Sequence, residues 1–266
     1  MLRSTHAGRS LLEVLLTLAV GLVPIASGLM VMSYQLDKKL EQVSSTSMRE
    51  ALFVIDRALD EVHQAALNAL PLSGKPCRSV MYDLKELVAH NPHLHSLLLT
   101  RDGRVYCSSL ATFTLKTPDF EPGQDVKLTF DVPTFSNEVM LEYRLPDQEP
   151  GVIASVYGLK LRSELNGFQS GLVLLLEFGD HYIWSGGDSR EAGRPSQSEY
   201  FQRDTSATYG YTVNVGFPQG YRQHELLQAS LQTLPSLALV GLLTSAFTYW
   251  GLFRSRKKAV HDATHK

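Results

Sequence analysis

The sequence predicts an α+β fold: a mixed helix and β-sheet domain held between two membrane-spanning helices. Three observations carry that reading. Two long uncharged apolar runs stand near the ends, residues 14–36 and 223–253, the second interrupted only by Glu225 near its start. Between them a helical seam comes first, and short alternating strands punctuated by Pro and Gly follow. The intervening residues 35–233 carry 18 Lys/Arg against 25 Asp/Glu, whereas residues 254–266 hold five basic side chains and one acid. A bilayer core about 30 Å thick needs roughly 20 helical residues, and both runs meet that length. An ordinary soluble enzyme is excluded, and the 13 residues after the second run are too few for a catalytic domain.

The charge asymmetry orients the chain. The cluster Arg254, Arg256, Lys257, Lys258, with Lys266, places the tail in the cytoplasm by the positive-inside rule. Two spans then return the N-terminus, with Arg3 and Arg9, to the same side. The expected division is 1–10 cytoplasmic N-terminus, 11–34 first transmembrane helix, 35–233 outer domain, 234–253 second transmembrane helix and 254–266 cytoplasmic tail. Tyr34, Tyr249 and Trp250 suit aromatic anchors at the water interfaces. The large loop is therefore expected outside the cytoplasm, in the periplasm if the organism is Gram-negative. Two rival readings of the N-terminus are weaker. A cleaved signal has an apolar region of about 7–15 residues, shorter than this one. Gly8-Arg9-Ser10-Leu11-Leu12-Glu13 resembles a prepilin leader, yet Arg9 stands where Phe or Met is usual.

Met48, Leu52, Ile55, Leu59, Val62, Ala66 and Ala69 alternate four- and three-residue steps, a helical seam. Leu36, Leu40 and Val43 begin such a seam, but the step of five to Met48 breaks its phase. This stalk either carries a signal into the first span or simply docks on its own domain. Pro71, Gly74 and Pro76 end it. A second helix, 77–89, stops before Pro92. Strands 95–100 and 104–110 meet at Asp102-Gly103, a hairpin signal. Further strands are expected at 126–132, 139–145, 152–157, 172–178, 181–184 and 209–215, and 187–198 reads as an exposed polar loop. Helices followed by an antiparallel or mixed sheet make an α+β domain, in which a PAS-like sheet is one arrangement. No internal repeat is evident.

Cys77 and Cys107 are the two cysteines, both on the outer side, where disulfides form. A bridge would close a loop of about 31 residues, worth roughly 3.7 kcal/mol in the chain-entropy model. It would pin the start of the second helix to the second hairpin strand. A thiolate at a helix start is stabilised by the helix dipole, which makes such a bridge easier to reduce. Chemistry alone leaves both a structural staple and a redox switch open.

Cys107-Ser108-Ser109 follows the hairpin, with Lys75-Pro76-Cys77 upstream and a span on either side. This arrangement resembles the CSS-motif domain, the outer sensor half of bacterial cyclic-di-GMP phosphodiesterases of the EAL family. The resemblance implies that Cys77 and Cys107 are a switch, oxidised by a periplasmic thiol oxidase system, whose reduced form favours phosphodiesterase activity. Family members continue into a cytoplasmic EAL domain. This chain is expected to lack one, and so to be a stand-alone sensor or the product of a truncated gene with no catalytic residue.

Other constellations read more plainly. His90, His93 and His95 offer three imidazoles, but their helix-to-strand context favours a solvated turn over a metal site. Gly186-Gly187-Asp188 echoes the diguanylate cyclase signature, yet Ser189 and Arg190 depart from it. Ser108 and Ser109 lack a paired histidine and acid, so their hydroxyls are expected to cap backbone or tune the neighbouring sulfur. Glu13 reads as an interfacial carboxylate, and the basic tail as an anchor at an anionic leaflet. Gly241, Ser245 and Ala246 would allow close helix contact, consistent with dimerisation. No catalytic residue, metal or cofactor is expected. The expected partners are the inner membrane, the thiol oxidase and reductase system, and a second copy or an EAL-type protein, with no nucleic acid. The reading that follows is a membrane-anchored, redox-responsive sensor. A ligand- or stress-sensing module with a purely structural disulfide is the alternative.

Overall fold

The computed structural model describes residues 4–110, 117–132, 135–168, 171–190 and 193–251. The basic tail 254–266 and the end of the second predicted span lie outside them, as do residues 1–3. The chain divides into two units, residues 1–40 with 220–266, and residues 41–219.

In the first unit, helix α1 (Ser4–Ala69) begins and helix α4 (Tyr221–Tyr249) ends the described chain. Both are long and apolar enough to cross a membrane. They pair in opposite directions over small residues. A Cβ added at Gly21 would strike Ser245 and one at Gly241 would meet the Gly21 carbonyl at 2.6 Å. Ser245 Oγ donates to the Thr17 carbonyl at 3.2 Å. Arg222 forks onto Asp37, at 2.5 and 3.0 Å, and reaches Ser33 Oγ at 3.1 Å. Gly241 and Ser245 thus pack within the chain, whereas Ala246 is exposed.

The second unit holds two five-stranded antiparallel sheets. The first takes β1 (Ser96–Arg101), β2 (Arg104–Ser108), β3 (Val126–Val132), β4 (Phe135–Arg144) and β5 (Gly151–Tyr157), in the order β2-β1-β5-β4-β3. The second takes β6 (Val173–Phe178), β7 (His181–Trp184), β8 (Gly187–Asp188), β9 (Glu199–Thr205) and β10 (Thr212–Phe217), in the order β8-β7-β6-β10-β9. In each sheet the first strand pairs antiparallel with the fifth, so each closes on a contiguous stretch of chain. Asp102 and Gly103 both take positive φ, 51° and 67°, the tight turn that the dipeptide favours.

One core joins both sheets to α1, α2 (Cys77–His90) and α3 (Gly158–Asn166). Ala51, Ile55, Leu59, Val62, Ala66 and Ala69 are buried along α1. Upstream of Ala51 the buried face passes through Ser44 and Ser47 rather than Val43 and Met48. The apparent break in the seam therefore arose from following apolar residues alone: small serines occupy the buried positions. Polar contacts fix α1 across the sheets. Asp56 Oδ1 accepts from Ser206 Oγ at 2.7 Å and Tyr211 Oη at 2.9 Å, and Asp60 Oδ1 accepts from Tyr209 Oη at 2.6 Å. On the first sheet His63 Nδ1 lies 2.6 Å from Tyr143 Oη. Burial raises the Tyr143 phenol to about 12, with the Asp125 charge adding to it. Tyr209 and Tyr211 are pushed further up, by burial first and then by their carboxylate partners.

Three expectations need correction. Residues 187–198 are an exposed loop only in part: Arg190, Gly193, Arg194, Ser196 and Ser198 are exposed, but Gly187 and Asp188 form buried β8, and Gln197 is buried, its amide donating to the Val173 and Asn214 carbonyls. Asp188 is buried because Arg162 and Arg190 surround it, at 2.7 and 2.9 Å. α3 and β9 were not anticipated. Leu161 and Leu165 stand four apart and both are buried, a brief helical signal. β9 is a polar edge strand without apolar alternation. The last strand also begins later than expected, at Thr212, because Ser206 and Tyr211 close a turn containing Gly210 (φ 71°).

Burial alone would raise the Asp188 carboxyl, but the hydrogen bonds from Arg190 and the charges of Arg190 and Arg162 hold it below its ordinary value. A depressed carboxylate contributes stability above its unfolded pKa, and that share is lost as pH falls through the folded one. Asp188→Asn is expected to cost on the order of 3 kcal/mol at neutral pH. It should also flatten the acid limb of the stability profile, measured by urea denaturation between pH 3 and 7.

Candidate functional site

The sequence places Cys77 and Cys107 on two elements that must meet. Pro76 precedes α2 in an extended conformation that fixes where the helix begins, so Cys77 is its first residue. No side chain caps that helix start, which leaves its amide groups and the positive end of the dipole near Cys77. Cys107 lies on β2 opposite Leu99 of β1, on the face turned to the core, and is 1% exposed. Cys77 and Cys107 are joined by a disulfide, with Cα atoms 5.3 Å apart. Cys107 Sγ also sits 3.8 Å from the Cys77 carbonyl oxygen.

The two serines act on the backbone. Ser109 N–H donates to the Leu97 carbonyl at 3.0 Å, and Leu97 N–H donates to Ser109 Oγ at 3.1 Å. The side-chain oxygen thus takes the place of a ladder carbonyl where β2 ends. Ser108 Oγ accepts the Leu110 N–H at 3.0 Å, a local turn that bends the chain away. Both serines are 5% exposed. A buried unpaired N–H is costly, so small hydroxyl residues at these two places close the strand without exposing the core.

A second clamp lies beside the bridge, of which only Gly74 stands out in the sequence. That glycine has φ 86°. Its N–H donates to Tyr106 Oη at 2.8 Å, and its carbonyl accepts from Arg101 Nη2 at 2.5 Å. The Arg101 guanidinium also stacks over the Tyr106 ring, 4.9 Å from its centre. The loop entering α2 is therefore tied to the β1–β2 hairpin by polar contacts as well as by sulfur.

The remaining candidates separate. His90 Nδ1 bonds to the Glu86 carbonyl, His93 pairs with Glu61 at 3.1 Å, and His95 packs on Tyr157 with centroids 4.0 Å apart. Burial lowers the His95 pKa. Among the described residues no three metal-ligating side chains converge. Of Gly186-Gly187-Asp188, Gly186 lies in an exposed turn and Gly187 and Asp188 are the buried strand β8. The letters Glu-Ala-Leu do occur, at Glu50-Ala51-Leu52, but within α1, where Ala51 is buried against the core and Glu50 faces out. Glu13 lies where only the backbone is described.

The bridge thus runs from a helix start to a buried strand that ends at two serines. Residues 40–230 match the family model for the CSS motif domain associated with EAL, and the chain belongs to that family. It is similar to the probable cyclic di-GMP phosphodiesterase PdeG of Escherichia coli (strain K12), 22% identical over 230 residues. That match takes in 85% of this chain and 45% of the relative, so the chain spans less than half of the relative's length. Among solved structures it matches the extracellular domain assigned to a histidine kinase, rpHK1S-Z16, with 12% identity and a TM-score of 0.38. The match covers 75% of this chain and 97% of that one.

Ser109→Ala is expected to lower stability by about 1–3 kcal/mol, because it leaves the buried Leu97 N–H without an acceptor. Ser108→Ala should cost less, since its bond is local to a turn. Thermal unfolding of the oxidised variants measures the order, and equal losses would remove this reading of the motif.

Proposed function

We propose that this chain is a membrane-anchored, redox-responsive regulatory domain of the bacterial inner membrane, its sheet domain facing the periplasm. The observation that carries the reading is the placement of the bridge. It joins the first residue of α2 to a buried core position of the hairpin, so opening it alters a joint in the packed unit rather than a loose surface loop. Membership of a family associated with EAL domains supports the downstream partner: an EAL-type phosphodiesterase acting on cyclic di-GMP, on the same or another polypeptide. In this reading oxidation holds α2 against the hairpin. Reduction leaves the Gly74 clamp as the remaining tie and loosens the packing of α2 on the core that α1 shares. Pro24 in α1 and Pro235 in α4 lie inside these helices, on the route by which the change would pass into the spans. The chain itself supplies regulation and no catalysis.

A purely structural bridge is the second reading, and a specific observation favours it. The clamp of Tyr106 and Arg101 on Gly74 holds the same joint without sulfur. Under that reading the domain senses a small ligand or folding stress, and thiol state has no output.

Grafting residues 1–266 ahead of an active EAL domain separates the two. Cys107→Ser and Cys77→Ser hybrids are expected to stay folded and membrane-inserted, since the bridge contributes roughly 3.7 kcal/mol, and to hydrolyse cyclic di-GMP faster than the oxidised parent. Folded hybrids indifferent to thiol state would assign the bridge a structural role alone. Topology is checked separately: a reporter active only in the cytoplasm should work after Lys266, and one active only when exported should work within residues 41–219.

A further inference from the structure

Two sulfurs share the bridge, but their surroundings differ. Cys107 is 1% exposed, enclosed by the core that contains Leu97, Leu99, Val80 and Leu84. Cys77 is partly exposed, and its neighbours Lys75, Pro76, Arg78 and Ser79 are all at the surface. A thiolate attacks a disulfide along the extension of the S–S bond, so the attacked sulfur must present its far side to the partner. Only Cys77 stands at a surface from which that approach can be made. Leaving-group chemistry points the other way, since the helix start makes Cys77 the better leaving thiolate and burial makes Cys107 the poorer one. Access decides, because reaching Cys107 requires the core between α2 and the hairpin to open first.

We infer that Cys77 is the exchange site, the sulfur that forms the mixed disulfide with a dithiol–disulfide oxidoreductase, and that Cys107 is the buried resolving thiol. This rests on the redox reading of the bridge above. During oxidation the Cys77 thiolate, favoured by the uncapped α2 start and by the adjacent Lys75 and Arg78, attacks one sulfur of the partner's disulfide. The partner's S–S bond breaks, and its other sulfur leaves as a thiolate and takes up a proton. Cys107 then loses its proton and attacks Cys77 Sγ, expelling the partner's first sulfur as a thiolate. Two thiols of this chain are oxidised and one disulfide of the partner is reduced, with two electrons transferred. Reduction retraces the same steps: the partner's thiolate attacks Cys77, and Cys107 departs. The departing Cys107 thiol is already 3.8 Å from the Cys77 carbonyl, which can accept its proton in a weak hydrogen bond. The contacts of Gly74 with Tyr106 and Arg101 keep Cys77 beside Cys107 while the bridge is open, so resolution is a local event.

The test uses the full chain in detergent or nanodiscs. A thioredoxin-like oxidoreductase whose own resolving cysteine is replaced by serine traps the mixed disulfide with the wild-type chain. Peptide mapping should place it on Cys77. In parallel, a maleimide should label Cys77 in Cys107→Ser at least about tenfold faster than Cys107 in Cys77→Ser, because a buried thiol reacts only during local opening. The two rates should converge in denaturant. A mixed disulfide on Cys107, or equal labelling of the two folded variants, overturns the assignment. The wild-type trapping does not depend on either variant folding. Exchange through Cys77 in a hybrid whose phosphodiesterase ignores thiol state would leave this assignment standing and remove the redox reading. Exchange through Cys107 in a responsive hybrid would do the reverse.

Discussion

Asp56 sits on the inner side of α1 and accepts hydrogen bonds from Ser206 and Tyr211, residues 150 and 155 positions later in the chain. With Asp60 accepting from Tyr209, it ties the β9–β10 turn of the second sheet to a helix that is complete before any strand begins. Much of the remaining architecture follows from that constraint. The apolar stripe of α1 from Ala51 to Ala69 can be covered only if both sheets close on it, and the carboxylates set the register at which the second one does. Apolar packing alone would tolerate small slides of a helix along a sheet. Charge-assisted hydrogen bonds in a partly buried setting do not, because each slide leaves a carboxylate unpaired. The phenols of Tyr209 and Tyr211 are raised first by burial and then by this same coupling, since ionising either would set a second negative charge beside Asp56 or Asp60.

The first sheet is held by other means. Here the carboxylates give way to the His63–Tyr143 contact and to the bridge, and the bridge acts on α2 rather than α1. That arrangement makes the motif residues intelligible as a set. Cys107 must face the core to meet the start of α2. The strand therefore has to end within two residues, where the chain turns away from the sheet. Ser109 replaces a ladder carbonyl and Ser108 starts the turn, and only a small side chain with an acceptor oxygen fits either place. The motif is thus a strand terminator attached to a cross-link. The Glu-Ala-Leu letters within α1 make the complementary point: the same three residues that name a catalytic domain elsewhere are here one turn of a helix, with Ala51 buried against the core and Glu50 facing out.

The polar clamp at Gly74 changes what opening the bridge can do. With Tyr106 and Arg101 still holding the loop, loss of sulfur cross-linking relaxes the α2 start without releasing it. In the proposed redox reading that relaxation is the regulatory change, whereas in the structural reading the same clamp holds the joint whether or not the bridge is closed. It also keeps the two thiols near each other, which favours reversible closure.

Several features followed from the sequence alone. The two apolar helices were legible because an uncharged run of that length has few alternatives. The hairpin was legible because Asp102-Gly103 readily takes two positive φ angles, and the pairing of Cys77 with Cys107 because the chain has no other thiol. The lower part of the α1 seam appeared in the spacing of its apolar residues. Other features were decided only by the tertiary structure. Ser44 and Ser47 continue the buried face although nothing in their chemistry announces it. Asp188 is buried because Arg162 and Arg190, from α3 and the following turn, converge on it; by itself it reads as a surface residue. β9 is a polar strand that exists because β10 offers it an edge. The division into two sheets, each closed by its first and fifth strands, is a choice among pairings that local sequence leaves nearly equal. Local spacing determines which residues can form a helix or a hairpin. Which distant groups share a core depends on long-range contacts whose free energy no short window of sequence contains.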